Sequence, residues 1–240
     1  ISLARVQDAR GQAQNAETTL REACAAHPGA IPLWQSLGRA LRAWDHIEEA
    51  SDACNEAQEH HPNSVEIKIQ RAQLAYELRD LETAQNLYSE LAQTFPNDLD
   101  IQNDLAQVLA SLGQEAEAQA LLRNLTEREP LFGQPWLNLA RAKCYENPQD
   151  GEIQRMRAAL KRRQLQPSQA AYVHFALGKA LDDCQAYDDA FSHYQKANAI
   201  CRDQLAFDSK ALETLVDRLI DVFTPEVMSD LKERGSLSTT

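Results

Sequence analysis

Between Ile31 and Pro62 the apolar and small positions fall at helical spacing twice, with a break between. Trp34, Leu37, Gly38 and Leu41 lie at i, i+3, i+4 and i+7, one face of a helix, and Ala50, Cys54 and Ala57 make a second such face. Polar residues fill the remaining positions. Pro62 stops the second run because it has no N–H to donate and clashes with the preceding turn. Prolines at 28, 62, 96 and 130 stand 34 residues apart, and the same stripes recur with them. A fixed period of that length marks stacked helix–turn–helix units rather than a closed globule.

Two antiparallel helices approach closely only where small side chains meet. Unit positions 8, 20 and 27 serve that purpose, and large residues at 4, 7, 11 and 24 fill the space around them. Residues 1–30 carry Leu3, Ala4, Ala16, Leu20, Ala23 and Pro28, a shortened first unit. Counting back from Pro28, Ile1 stands at position 5 inside a first helix, so further chain is expected upstream. Units 31–64, 65–98 and 99–132 follow. In 65–98 Ala72, Ala75, Ala84, Tyr88 and Leu91 keep the pattern, but Arg71 holds a leucine position. Either Arg71 snorkels outward or its helix is rotated. In 99–132 the pattern is Leu105, Ala106, Leu109, Ala118, Leu122 and Leu125.

Unit 133–167 opens with Trp136, Leu139 and Ala140 and then degenerates. Its turn is expected at Tyr145-Glu146-Asn147-Pro148. Its second helix carries Arg155, Arg157, Lys161, Arg162 and Arg163 around Ile153, Met156, Ala159 and Leu160. That basic run is either a solvated outer face or a dock for an acidic neighbour. Ser168 is a good N-cap for the next helix. The sixth unit, 168–204, shows Leu177, Gly178, Leu181, Ala190, Tyr194 and Ala197 four residues late, which puts an insertion in the fifth unit. Residues 208–223 (Ala211, Leu212, Leu215, Leu219, Val222, Phe223) are expected to form a helix covering the end of the array. Thr224 and Pro225 open a last short helix, and Gly235 to Thr240 is polar and frayed. The division is therefore an array over 1–204 and a capping helix with connector over 205–240.

Glycine and proline are sparse, which fits an all-α chain. The formal net charge of −12 argues against nucleic acid or an anionic membrane as partner, and no apolar run is long enough to span a bilayer. Five cysteines form no CxxC pair and read as reduced thiols used as small hydrophobes, with a cytoplasmic location implied. His60 and His61 are adjacent and point to different sides of a helix end, so no metal pair is expected. No catalytic constellation is visible, and the chain is expected to be no enzyme and to hold no cofactor.

The recurring tryptophan, leucine, glycine, alanine and proline positions resemble the tetratricopeptide repeat. That resemblance implies a right-handed α-solenoid of antiparallel helix pairs. The segment 168–236 is more specific. Phe175 to Asp183, then Tyr187-Asp188-Asp189-Ala190-Phe191, Tyr194 and Ala197-Asn198, resemble the final repeat of bacterial tetratricopeptide–sulfotransferase proteins. Phe223-Thr224-Pro225-Glu226, with Gly235 shortly after, resembles the segment preceding their catalytic domain. The resemblance implies a parent that binds the donor PAPS in a loop beyond Thr240, and a fragment that carries no catalytic residue. Gly178-Lys179 lacks the upstream glycine of a phosphate loop and reads as helix packing.

By the same family resemblance, first-helix positions 2, 5, 9, 12 and 13 line a concave groove. They are Gln35, Arg39 and Arg42; Glu66, Ile69, Gln73 and Tyr76; Asn103 and Gln107; Leu137, Arg141 and Tyr145; and Phe175 and Lys179, with Asn138 beside them. Amides flanked by arginines suit an extended or acidic peptide of a protein partner. The lysine–asparagine pattern of the carboxylate-clamp subfamily is not reproduced, so chaperone tails are not expected. Trp34 and Trp136 read as packing. Docking to a missing catalytic domain is a further expectation. So is self-association through Leu3 and Val6 of the shortened unit.

Overall fold

The computed structural model describes residues 1–204, 209–224 and 227. The expected helix at Pro225 and the expected frayed tail from Gly235 lie outside them. Among the described residues there are thirteen helices and no strand. The chain divides into two compact units, Ile1–Ala197 and Asn198–Thr240. The boundary falls inside a helix, rather than after it at residue 204.

In the first unit the helices run α1 (Ser2–Ala9), α2 (Ala13–Ala26), α3 (Ile31–Ala43), α4 (Ile47–His60), α5 (Val65–Glu77), α6 (Leu81–Thr94), α7 (Leu99–Ser111), α8 (Glu115–Arg128), α9 (Gly133–Arg141), α10 (Gly151–Leu160), α11 (Pro167–Asp183) and α12 (Tyr187–Gln204). α12 runs on past the boundary. α3, α5, α7 and α9 begin 34 residues apart, and so do α4, α6 and α8. From α1 to α9 each helix packs on its successor, so each pair covers the apolar face of the next. The turn inside five of the six pairs, all but α9 and α10, uses one left-handed residue. Gly11 and Gly113 supply it in two units, and Asp45, Arg79 and Gln185 hold φ near 60° at the same place in three others. Ser64 and Asp98 cap α5 and α7, their side-chain oxygens accepting from Ile67 N and Ile101 N at 3.3 and 3.1 Å.

The core follows the stripe. Trp34, Leu37, Leu41, Ala50, Cys54 and Ala57 are buried together. The indoles of Trp34 and Trp136 donate to the carbonyls of Pro28 and Pro130 at 2.9 and 3.1 Å. Each tryptophan thus ties a unit to the proline that ends the one before. In α5 the stripe is displaced by one residue: Ile67 and Leu74 are fully buried where positions 4 and 11 bury their counterparts, and Arg71 stays at the half-exposed edge. Rotation of the helix is the solution adopted for Arg71.

The fifth unit departs from expectation. α9 packs most closely against α11, not against α10. α11 starts on the 34-residue period but has 17 residues where α3, α5 and α7 have 13. The four late residues are therefore one added turn at the start of α11, not an insertion within the fifth unit. Pro167 is the first helical residue and Gln166 the cap, which replaces the expected cap at Ser168; a fixed φ and a missing N–H cost nothing at that position. The added turn reaches α9, where Gly133 N donates to Gln169 Oε1 at 2.6 Å.

The second unit holds the last residues of α12 and α13 (Ser209–Val222). Leu212, Val216, Leu219 and Ile220 of α13 are exposed. Thr224 Oγ1 accepts from Val227 N at 3.4 Å.

Candidate functional site

The first helices of successive pairs carry Arg39, Gln73, Gln107 and Arg141 at one repeat position, 34 residues apart. Adjoining cavities run along this row. One of about 290 Å³ is lined by Gln35, Arg39, Arg42, Ile69 and Gln73. The next, about 240 Å³, shares Arg42 and Gln73 and adds Tyr76 and Gln107. A third, about 190 Å³, shares Tyr76 and Gln107 and adds Asn138 and Arg141. Eight of the eleven sequence-selected residues thus meet in one continuous depression. At its α1 end it continues into a cavity of about 390 Å³ between Ala4, Leu20, Arg39 and Trp44.

The charges in this depression are not all free. Arg42 grips Glu77 through two nitrogens and also donates to Gln73 Oε1 at 3.3 Å. The Tyr76 hydroxyl meets Ser111 Oγ at 3.2 Å. Gln107 and Arg141 have no side-chain partner among the described residues, and Arg39 bonds only to the Gln35 carbonyl of its own helix.

Three candidates fall elsewhere. Asn103 is 1 % exposed and accepts from Asn138 Nδ2 at 2.9 Å, so it backs the groove wall instead of facing the groove. Tyr145 is also 1 % exposed, because α9 ends at Arg141 and the following loop folds inward. Its hydroxyl donates to Glu152 Oε2 at 2.8 Å and its N–H to Asp183 at 3.1 Å. Lys179 Nζ is spent on Asp183 and the Lys143 carbonyl, both at 2.5 Å, and fastens that same loop. Of the other residues assigned to the groove, Leu137 is buried and Phe175 packs against the core beside Tyr194. The sequence reading missed Glu77, Tyr88, Asp104 and Gln134, which line the central cavity. Glu77 and Gln134 stand at positions 13 and 2, which the repeat pattern marks for the groove, whereas Tyr88 and Asp104 stand at positions 24 and 6, which it does not.

In the basic helix α10, Arg155 pairs with Glu127 of α8 at 2.8 Å and lies over the Trp136 ring. Leu3 and Val6 of α1 are exposed. Among the described residues no group of three His, Cys, Asp or Glu is placed to hold a metal, and no helix is long and apolar enough to cross a membrane.

One further cluster titrates. His174 of α11 and His193 of α12 share a hydrogen bond, Nδ1 to Nδ1, at 2.8 Å. Burial, chiefly, holds both below their ordinary 6.5, and His174 and Lys196 help bring His193 down to about 4. The folded protein therefore binds fewer protons than the unfolded chain between about pH 4 and 6.5, so stability rises with pH across that window. Both rings are half exposed, so the effect is modest. The melting temperature is expected to fall by about 2–4 °C from this source between pH 7 and 5, and His193→Asn to remove that part of the slope in differential scanning calorimetry.

Residues 75–144 match the family model described as tetratricopeptide repeat. Among solved structures, MamA 41-end from Desulfovibrio magneticus RS-1 aligns with a TM-score of 0.51 and 20 % identity, covering 72 % of this chain and 96 % of that one. A second MamA crystal structure aligns at 0.50 with 12 % identity, covering 86 % and 99 %. These are likenesses of fold. Over residues 75–144 the helix pairs match the tetratricopeptide repeat. YrrB, described as a TPR protein with an unusual peptide-binding site, aligns at 0.49 with 15 % identity over 77 % of this chain and 93 % of that one. An uncharacterized Aquifex aeolicus protein is 34 % identical over 86 residues, 36 % of this chain. The match spans 11 % of that relative, so the chain accounts for only a small part of its length. None of these matches supports the sulfotransferase resemblance of 168–236. The repeats match the solenoid expectation.

Proposed function

We propose that this chain is a protein-interaction scaffold whose repeat groove binds an extended peptide segment of a partner protein. The observation that supports this reading is the row Arg39, Gln73, Gln107 and Arg141, one residue per repeat along adjoining cavities. Side-chain amides carry both a donor and an acceptor, so Gln73, Gln107 and Asn138 match the N–H and C=O groups of an extended chain. Arg39 and Arg141, near the two ends of the row and free of ion pairs, suit carboxylates of the same segment. Arg42 is already neutralised by Glu77 and contributes less than its charge suggests.

The test is selection of displayed random heptapeptides on the immobilised protein, then fluorescence anisotropy with the enriched sequences. Arg39→Glu with Arg141→Glu is expected to weaken binding roughly 10–100-fold without changing the melting temperature. Selection that enriches nothing, or affinity indifferent to this double reversal, would reject the groove as the binding site.

A further inference from the structure

The central cavity contains a carboxylate without a cation. It opens midway along the groove, with Asp104 of α7 and Tyr88 of α6 on its lining. The charged residues lining it are Arg42, Glu77 and Asp104. The first two neutralise each other. Asp104 accepts from the Tyr88 hydroxyl at 3.0 Å and forms no ion pair among the described residues. A carboxylate can accept about four hydrogen bonds, so this one retains capacity for a ligand. Burial raises the Asp104 carboxyl above its ordinary value; the Tyr88 hydroxyl and the Asn103 side chain oppose this, and Asp100 and Asp98 add to the rise. The local field is therefore negative. An unpaired charge in such a place lowers stability, and a ligand cation is the physical means of offsetting it.

We propose that the cavity at Asp104 receives the basic side chain, arginine or lysine, of the peptide that occupies the groove. This rests on the groove reading and adds its specificity. The fit is chemical on three counts. Asp104 supplies the counter-charge. Tyr76 offers ring surface to a guanidinium or ammonium. The side-chain oxygens of Gln73 and Gln107 accept remaining N–H groups. An acidic side chain is repelled there, and an apolar one leaves the half-buried carboxylate unpaired.

The experiment uses immobilised random heptapeptide pools whose central residue is fixed as Arg, Lys, Gln or Glu, probed with the full chain. The Arg and Lys pools are expected to retain roughly 10-fold or more protein than the Gln pool, and the Glu pool least. Asp104→Asn keeps an acceptor for the Tyr88 hydroxyl and removes a half-buried, unpaired charge, so its melting temperature should be equal or higher. In that variant the preference for basic pools should fall to about one. Pools that bind, and lose binding with Arg39→Glu and Arg141→Glu, but show no basic preference overturn the cavity assignment while leaving the groove intact. A basic preference that survives in Asp104→Asn overturns it as well. Pools that all fail to bind overturn both readings.

Discussion

Gly133→Ala is expected to destabilise the array by about 3 kcal/mol or more, lowering its melting temperature by about 6–12 °C. A Cβ at Gly133 would stand 2.1 Å from the carbonyl oxygen of Gln169 and 2.9 Å from its carbon. Both are backbone atoms, so no rotamer change relieves the contact. α9 and α11 must move apart, and the hydrogen bond from Gly133 N to Gln169 Oε1 goes with them. Gly38→Ala is the control. Its Cβ would first meet Gln70 Nε2 at 3.5 Å, an ordinary contact, and alanine is the better helix former by about 1 kcal/mol. Calorimetry on both variants decides. A small loss in Gly133→Ala would mean that α9 and α11 do not meet in solution as they do here.

Glu152→Ala is expected to lose about 3 kcal/mol, and Glu152→Gln about half of that. Glu152 is 7 % exposed and gathers three donors from two segments, α8 and the loop after α9. Arg123 Nε lies at 3.0 Å, the Tyr145 hydroxyl at 2.8 Å and Lys143 Nζ at 2.9 Å. The half-exposed Arg123 can turn to water, whereas the Tyr145 hydroxyl is enclosed and would be orphaned. Burial alone would raise the Glu152 carboxyl, but hydrogen bonds from Lys143, Tyr145 and Arg123 outweigh it and hold it below its ordinary 4.5. A depressed carboxyl contributes stability that is present above about pH 4.5 and is lost as pH falls through the lower folded value. The acid limb of the wild-type stability curve should therefore steepen below about pH 4.5, and in Glu152→Ala it should be shallower. A variant as stable as the wild type, with the same acid limb, would show that this network contributes nothing net.

The two acid-sensitive groups are separable by window. The histidine pair acts between about pH 4 and 6.5, and Glu152 below about 4.5. Chemical denaturation at closely spaced pH values, with each variant, resolves them.

Helix starts, core stripe and repeat length were readable from residue order because all are local. A helix face is set by 3.6-residue spacing and a helix end by proline or a capping side chain, and both are written in neighbouring residues. That is why α3, α5, α7 and α9 begin where the period places them, and why Trp34 and Trp136 were recognisable as packing. Eight of the groove residues were legible for the same reason: one repeat position seen in one helix is seen in all.

What residue order left open was everything set by one element against another. Arg71 allowed two solutions, and burial of Ile67 and Leu74 against neighbouring helices selected rotation. Tyr145 shares its amphipathic character with groove tyrosines such as Tyr76; burial in one cluster with Val173 and Leu177 of α11, and the bond from its N–H to Asp183, decide that it is a core residue. Asp104 is one polar residue among many in its helix. It becomes distinctive only when α5, α6 and α7 close a cavity around it and bring no cation. Spacing along the chain specifies which face a side chain occupies. Burial, and the presence or absence of a partner for a charge, depend on residues 16 to 38 positions away, as in Tyr88 with Asp104 and Tyr145 with Asp183.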